Sequence, residues 1–366
     1  MRKLPSRGRI VCWLTVALVP LCLVLPPGAA GADPTRGRES ADRADIVAIH
    51  LVSRVGDEVA SEGARRALAS DPVRLHAVLA VRDGSRTTYY SDAGPAVVLG
   101  GRRRPTRPLA EAPAARFSWF KVEPRVESMS NTESGKFRFE PIDYAETPVR
   151  AWQGRGSVVA DVRPTLTPDR GDGLGTMRFK LQAVTDGGTF ATPGVTARRG
   201  RGSGGLTDAV HRVSLRRDDT YLGFLTEMFG QPYIWASAGT SSRTHQSERL
   251  EGSDCADFVV YGRRRLGEDR AYTWTGALPQ VTKLLARGRP GQGGVYVDAK
   301  GKPLPFTRAG DILLFPRHVG VLTADRGERG VLDRADIMFH TYFASPRQEP
   351  VGDTDYREAP VEIRRW

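Results

Sequence analysis

The chain has 366 residues, with 54 Lys and Arg, 42 Asp and Glu, six His and three Cys, for a formal charge of +12. At 40% apolar residues it can bury a core, which excludes wholesale disorder. Forty Gly and 25 Pro weigh against an all-helical bundle.

Residues 1–32 read as an export signal. Arg2, Lys3, Arg7 and Arg9 make a basic start, residues 10–25 carry no charge, and Ala30-Gly31-Ala32 offers the small residues a signal peptidase needs. The apolar run is short for a membrane span and Pro20 interrupts it. The expected location is therefore exported, periplasmic or extracellular, with cleavage near Ala32 and no membrane contact required afterwards. Loss of those four basic residues lowers the charge from +12 to +8. A basic exported chain suits peptidoglycan or another anionic envelope polymer, and not nucleic acid. Cys12 and Cys22 leave with the signal, so Cys255 is the one thiol that remains. A lone thiol in an oxidising compartment is either buried and inert or retained for chemistry.

Residues 33–44 read as a flexible lead-in and 45–200 as a β-rich accessory region, with a sandwich among its candidate arrangements. Within it, 57–70 has helical composition. Residues 75–81 and 86–90 flank Asp83-Gly84 as a hairpin. Residues 102–108 form a basic, Pro-broken loop, and 117–122, 136–139, 157–162 and 176–184 read as strands. His50 and His76 are isolated and read as ordinary surface or core residues. Residues 201–216 begin Gly- and Arg-rich and read as a linker; 217–366 read as a second domain.

In that second domain, Thr220 precedes a helical pattern over 221–229 that Gly230 closes. Ser253-Asp254-Cys255-Ala256-Asp257 opens another helix, with Cys255, Val259, Gly262 and Leu266 on one face. Asp254 can cap it, and Asp257 can reach back as in a capping box. Cys255 then sits in the first turn, where free N–H groups and the helix dipole favour a thiolate and lower its pKa. Gly262 fits a point of close approach. Arg263, Arg264 and Arg265 read as a solvated face, and His245 is given no role. A thiolate needs a base and a group to orient that base. Residues 310–315, 318–322 and 337–342 read as strands, so His318 and His340 can lie side by side on antiparallel neighbours.

These segments together resemble the NlpC family of papain-like cell-wall cysteine peptidases over residues 219–345. The motifs are Pro232-Tyr233-Ile234-Trp235, Asp254-Cys255-Ala256-Asp257, Gly310-Asp311-Ile312-Leu313, His318-Val319-Gly320-Val321 and finally His340. The resemblance implies an α+β chain, with a papain-like catalytic domain at the C-terminus preceded by the β-rich region. It implies amide hydrolysis in peptidoglycan stem peptides, with Cys255 as nucleophile, His318 as base and His340 orienting it. It further implies oxyanion or substrate contacts from the Cys255 N–H, Tyr233, Trp235 and Asp254, and requires no metal or organic cofactor. The family's Gly two positions after the Cys is Asp257 here. Alternatives from other classes are an envelope-binding scaffold whose site has lapsed, and an acyltransferase or deamidase using the same Cys and His.

Overall fold

Alternating apolar residues give the N-terminal strands two useful faces. Along β1 (Asp45–Val55) and β4 (Val73–Asp83), Val52 and Val78 face one cluster with Ala60, Val97 and Leu99. Leu51, Leu75 and Leu79 face another with Trp119, Phe179 and Leu181. The computed structural model describes residues 45–130 and 138–366. The expected export signal and lead-in, and Lys136 and Phe137 of an expected strand, lie outside them.

The first face closes a barrel. β2 (Ala60–Ser61), β6 (Ala96–Leu99), β7 (Arg102–Arg107) and β5 (Arg86–Tyr90) follow β1 in that order, and β4 returns to pair with β1. The second face packs on a sheet of β3 (Arg65–Leu68), β8 (Ala115–Pro124), β10 (Tyr144–Pro148), β12 (Gly175–Thr185), β13 (Gly188–Ala191) and β14 (His211–Arg216). Two short strands complete the region: β9 (Ser128–Ser130) and β11 (Ser157–Val159), the latter on β4.

The rest of the chain builds one antiparallel sheet under a helix. Its order is β17 (Tyr296–Val297), β16 (Lys283–Pro290), β22 (Val361–Arg365), β18 (Ile312–Phe315), β19 (His318–Ala324), β20 (Ile337–His340) and β21 (Arg347–Pro350). The helices are α1 (Tyr221–Leu225), α2 (Cys255–Arg265) and α3 (Leu278–Val281); β15 (Tyr233–Trp235) pairs in parallel with β9. Ile312, Leu314, Val319, Val321 and Phe339 pack with α2. Leu313, Phe315, Leu322 and Met338 fill the cluster on the sheet's other face.

The expected α+β class with a papain-like C-terminal domain is therefore corrected. The molecule is mostly β, 42% strand against 13% helix, with a closed six-stranded barrel. The sandwich gives way to that barrel because β4 pairs on both edges, with β1 and β5. The helix expected over 57–70 is instead β2 and β3, held by pairing to β1 and β14. Tertiary pairing overrides a weak helical propensity there. The basic loop at 102–108 is β7, an arginine-rich strand that leaves Pro105 opposite Ala96. The expected linker 201–216 ends in β14, whose Val213 and Ser214 are fully buried. The helix at 221–229 stops after five residues and tightens into a 3-10 turn, capped as expected by the Thr220 hydroxyl.

Buried polar ties link the C-terminal part to the second sheet. Glu227, fully buried, accepts from Tyr261 and from Arg265 at 3.0 and 3.1 Å, with Arg66 of β3 at 3.7 Å. Arg178 of β12 donates to the Leu250 carbonyl at 2.9 Å. A buried ion is tolerated only with this degree of pairing.

Candidate active site

The Asp254 side chain opens α2 by accepting from the Ala256 and Asp257 N–H groups at 3.0 and 2.7 Å. Such a cap contributes about 1 kcal/mol. The expected return contact from Asp257 is not made. The Ser237 hydroxyl accepts from the Asp254 N–H at 2.9 Å, and Asp257 turns instead to the Ser237 hydroxyl at 3.0 Å and Arg264 at 2.8 Å. Asp257 is thus a structural tie that holds residue 237 to the helix. Arg264 and Arg265 leave the solvated face for partners at Asp257, Glu248 and Glu227. Gly262 is the point of close approach. A Cβ there would lie 2.7 Å from the Tyr221 ring and 2.8 Å from Leu225 of α1.

Three adjacent strands carry the polar groups. His318 of β19 and His340 of β20 are joined by a ring-to-ring hydrogen bond, Nε2 to Nδ1, at 2.9 Å. The other nitrogen of His340, Nε2, donates to Glu349 of β21 at 2.8 Å, and Arg347 holds the second Glu349 oxygen at 2.7 Å. The antiparallel register produces this order, since Val321 pairs with Phe339 and His340 with Arg347. Gly320 makes room for it: a Cβ there would lie 3.1 Å from His340 Cβ and 2.4 Å from the Met338 sulfur.

The chain of bonds fixes every proton. The Glu349 carboxylate can only accept, so His340 Nε2 carries hydrogen and Nδ1 a lone pair. His318 Nε2 must then donate, which leaves its Nδ1 as the lone-pair nitrogen. That atom is buried and without a partner. Burial, with His340 and Arg347 adding to it, holds the His318 ring well below its usual pKa, so the ring is neutral. Burial opposes the charge on Glu349, but bonds from His340 and Arg347 hold that carboxyl down to about 2.

Cys255 meets the sheet at the Val319 backbone N–H, next in the chain to His318. His318 and His340 are in step with Leu322 and Met338, on the face away from α2, and His318 stacks on Phe315. The thiol is therefore placed at the start of β19 through the Val319 N–H, and among the described residues no hydrogen bond joins it to the His318 ring. Both groups border one tyrosine cluster. Tyr356 stacks on His318 at 4.6 Å and 17°, Tyr342 lies 4.9 Å away, and the charge of a Cys255 thiolate is felt at Tyr356, Tyr233 and Tyr272.

The expectation of an accessible, activated thiolate is corrected by this enclosure. Cys255 is only 7% exposed. Burial pushes its thiol up to about 12, the Asp254 carboxylate adds to the rise, and the N–H groups of Val319, Cys255 and Ala256 oppose it without prevailing. Desolvation outweighs the helix start here. Asp254 is itself raised to about 6 by burial and by the nearby Asp257 charge. It accepts from Tyr272 at 3.1 Å, so its carboxylate serves the protein.

The structure brings Cys255, His318, His340, Tyr233 and Asp254 into one neighbourhood. Tyr233 is buried, with Phe343 and Tyr342 rings at 5.2 and 6.2 Å. Trp235, two residues along β15, is 52% exposed. Sequence reasoning missed Glu349, Arg347, Tyr272, Tyr342 and Tyr356. Alternation in Arg347-Gln348-Glu349 was the available signal, but it carries no indication of which strand lies alongside. His245 is buried and accepts from the Gly239 N–H at 3.1 Å, an architectural role. Among the described residues no group of three or more His, Cys, Asp or Glu side chains is arranged to hold a metal ion, and no helix is long and apolar enough to cross a membrane. No protein-family model, curated protein or solved structure matches the chain.

Proposed function

We propose that this protein is an exported cysteine hydrolase that cleaves amide bonds in peptidoglycan stem peptides, as the motif resemblance to NlpC-type peptidases implies. One observation carries the reading: the Glu349–His340–His318 relay ends in a free lone pair on His318 Nδ1, at the strand start where Cys255 arrives. In the reaction, the Cys255 proton passes to His318 Nδ1 as sulfur attacks the amide carbonyl carbon. The oxyanion is held by the Cys255 N–H at the start of α2, with the protonated Tyr233 hydroxyl as a second donor. Collapse expels the amine, which takes the proton from His318, and leaves a thioacyl enzyme. Water then attacks the thioester, gives its proton to His318 and restores the thiol. His340 fixes the His318 tautomer, as a carboxylate or amide does in other triads. Because the resting thiol is protonated, proton transfer accompanies attack.

The test is digestion of purified peptidoglycan by the full chain, with products identified by mass spectrometry. New amine and carboxyl ends that vanish with Cys255→Ala and with His318→Ala support the proposal. The same products from a pure Cys255→Ala protein remove it. Burial of Cys255 favours a second reading, an envelope-binding scaffold whose site has lapsed; wall binding with no released product would establish that instead. Ammonia or acyl-transfer products would assign deamidase or acyltransferase chemistry to the same pair.

A further inference from the structure

The basic segment at 102–108 has no part in the thiol site, and it borders a cleft of its own. β5 and β7 run in parallel, and they pair only where Tyr89 meets Thr106 and Tyr90 meets Arg107. Before those pairs β5 bonds to β4 and β7 bonds to β6, and Pro105 has no N–H to offer β5. The two strands therefore part, and a cleft of about 240 Å³ opens between them. Arg86, Thr87 and Thr88 of β5 line one side, and Arg104 and Arg107 of β7 line the other. The Arg104 guanidinium lies over the Tyr89 ring, 5.9 Å from its centre, and both residues line the cleft, so that head group is placed there. Contact with an aromatic face holds a guanidinium in position while its charge remains.

Among the described residues, no Asp or Glu lines this cleft, and none of Arg86, Arg104 and Arg107 is in an ion pair. That holds even for Arg86, whose cross-strand neighbour is Asp83. Elsewhere Arg199, Arg264, Arg265 and Arg365 each hold a carboxylate. Exposed Arg102 and Arg103 continue the row along β7, again without an acid among the described residues. Five uncompensated positive charges on two strands repel one another and attract an anion. Arg107 pairs with Tyr90, and Arg86 lies four residues before Tyr90, so the two stand about 13 Å apart along the strands. One small anion cannot meet charges spread that far, whereas a chain of repeated charges can. Among the described residues no large apolar side chain is exposed on β5, β6 or β7, so this face lacks the wedge with which a protein enters a membrane surface. The Tyr89 face is taken by Arg104, which leaves that ring unable to stack a nucleobase. We propose that the β5–β7 cleft binds a linear polymer of repeated oxyanion groups, phosphoryl or carboxylate, with the three guanidinium forks and the Thr87 and Thr88 hydroxyls as donors. The proposal stands on the cleft and not on the hydrolase reading.

Isothermal titration calorimetry on the full chain tests it. Polyphosphate and poly-L-glutamate of matched length are the two polymer probes, inorganic phosphate is the monomer, oligothymidylate the nucleic acid and phosphatidylglycerol vesicles the membrane. The expected result is a Kd of about 1–100 µM for at least one polymer at low salt, weakening about twentyfold to a hundredfold from about 50 to about 200 mM salt, as for three to five charge contacts. The tighter of the two polymers assigns the oxyanion as phosphoryl or carboxylate. Arg86→Gln/Arg104→Gln/Arg107→Gln should weaken binding by about tenfold or more. Arg86→Gln/Arg107→Gln, confined to exposed side chains, should weaken it by about fivefold and guards against misfolding of the triple variant. Lys300→Gln/Lys302→Gln/Arg329→Gln removes the same charge from exposed C-terminal positions and should change binding by less than about twofold. No binding to either polymer, an equal loss in the two triple variants, inorganic phosphate bound as tightly as the polymers, or tighter binding of oligothymidylate or vesicles than of both polymers overturns the proposal.

Discussion

Two clusters in this molecule use the same parts and wire them differently. Near the barrel, Glu62 holds two histidines in parallel, one by its side chain and one by its own carbonyl. In the C-terminal sheet, Glu349 holds two in series, through His340 to His318. Parallel wiring leaves the two imidazoles separate. Series wiring delivers one defined lone pair to one place, the strand start where the only described cysteine arrives. The chemistry follows from connectivity and from what lies at the end of it, more than from residue type.

The largest test of that contrast is substitution at each end. Cys255→Ala should cut turnover by about a thousandfold or more, and His318→Ala by roughly a hundredfold to ten-thousandfold. His211→Phe should leave turnover unchanged. Equal losses at His318 and His211 would erase the distinction between the clusters. The melting temperature of Cys255→Ala should stay within a few degrees of the parent, checked by calorimetry.

Labelling comes next in size. With its pKa pushed to about 12, Cys255 should react with iodoacetamide at neutral pH roughly a thousandfold more slowly than a free thiol. Tyr356→Ala, which removes the ring stacked on His318, should speed it. Fast labelling of the native protein would overturn the raised pKa of the buried thiol.

Glu349 should matter less, acting through His340. Glu349→Ala should lower kcat by about tenfold to a hundredfold with little change in KM, as for other groups that orient a ligating or catalytic ring. Glu349→Gln, whose carbonyl still accepts from His340, should recover part of the loss. A change confined to KM would make Glu349 a substrate contact.

The smallest effect is on acid stability. Glu349 falls from an ordinary 4.5 to about 2 in the folded protein. A depressed acid stabilises the fold fully above about pH 4.5, and that contribution disappears as pH falls towards 2. The melting-temperature advantage of the parent over Glu349→Gln should therefore be constant near neutrality and shrink below pH 4.5. An advantage that grows on acidification would reverse the assigned direction.

The sequence was legible where a local rule governs. Asp83-Gly84 gives the β4–β5 hairpin with Gly84 at φ +56°, Thr220 and Asp254 cap their helices, and Gly262 marks a helix contact. It was illegible where partners come from far away. Residues 57–70 look helical alone and become strands because β1 and β14 lie beside them. The helix start suggested an activated Cys255, whereas the folded chain buries it and desolvation reverses the expected shift. His50 looked isolated because Glu62 reaches it only through sheet pairing.

By itself, then, the chain order determined which side chains could do chemistry: one thiol after a capping Asp, and two histidines on consecutive strands. Spacing along a strand or helix sets those relations directly. Tertiary structure alone decided that the fold is mostly β, that Glu349 completes the relay, and that the thiol rests buried and protonated. Burial and cross-strand register depend on which distant segments pack together, and local periodicity carries no record of that choice.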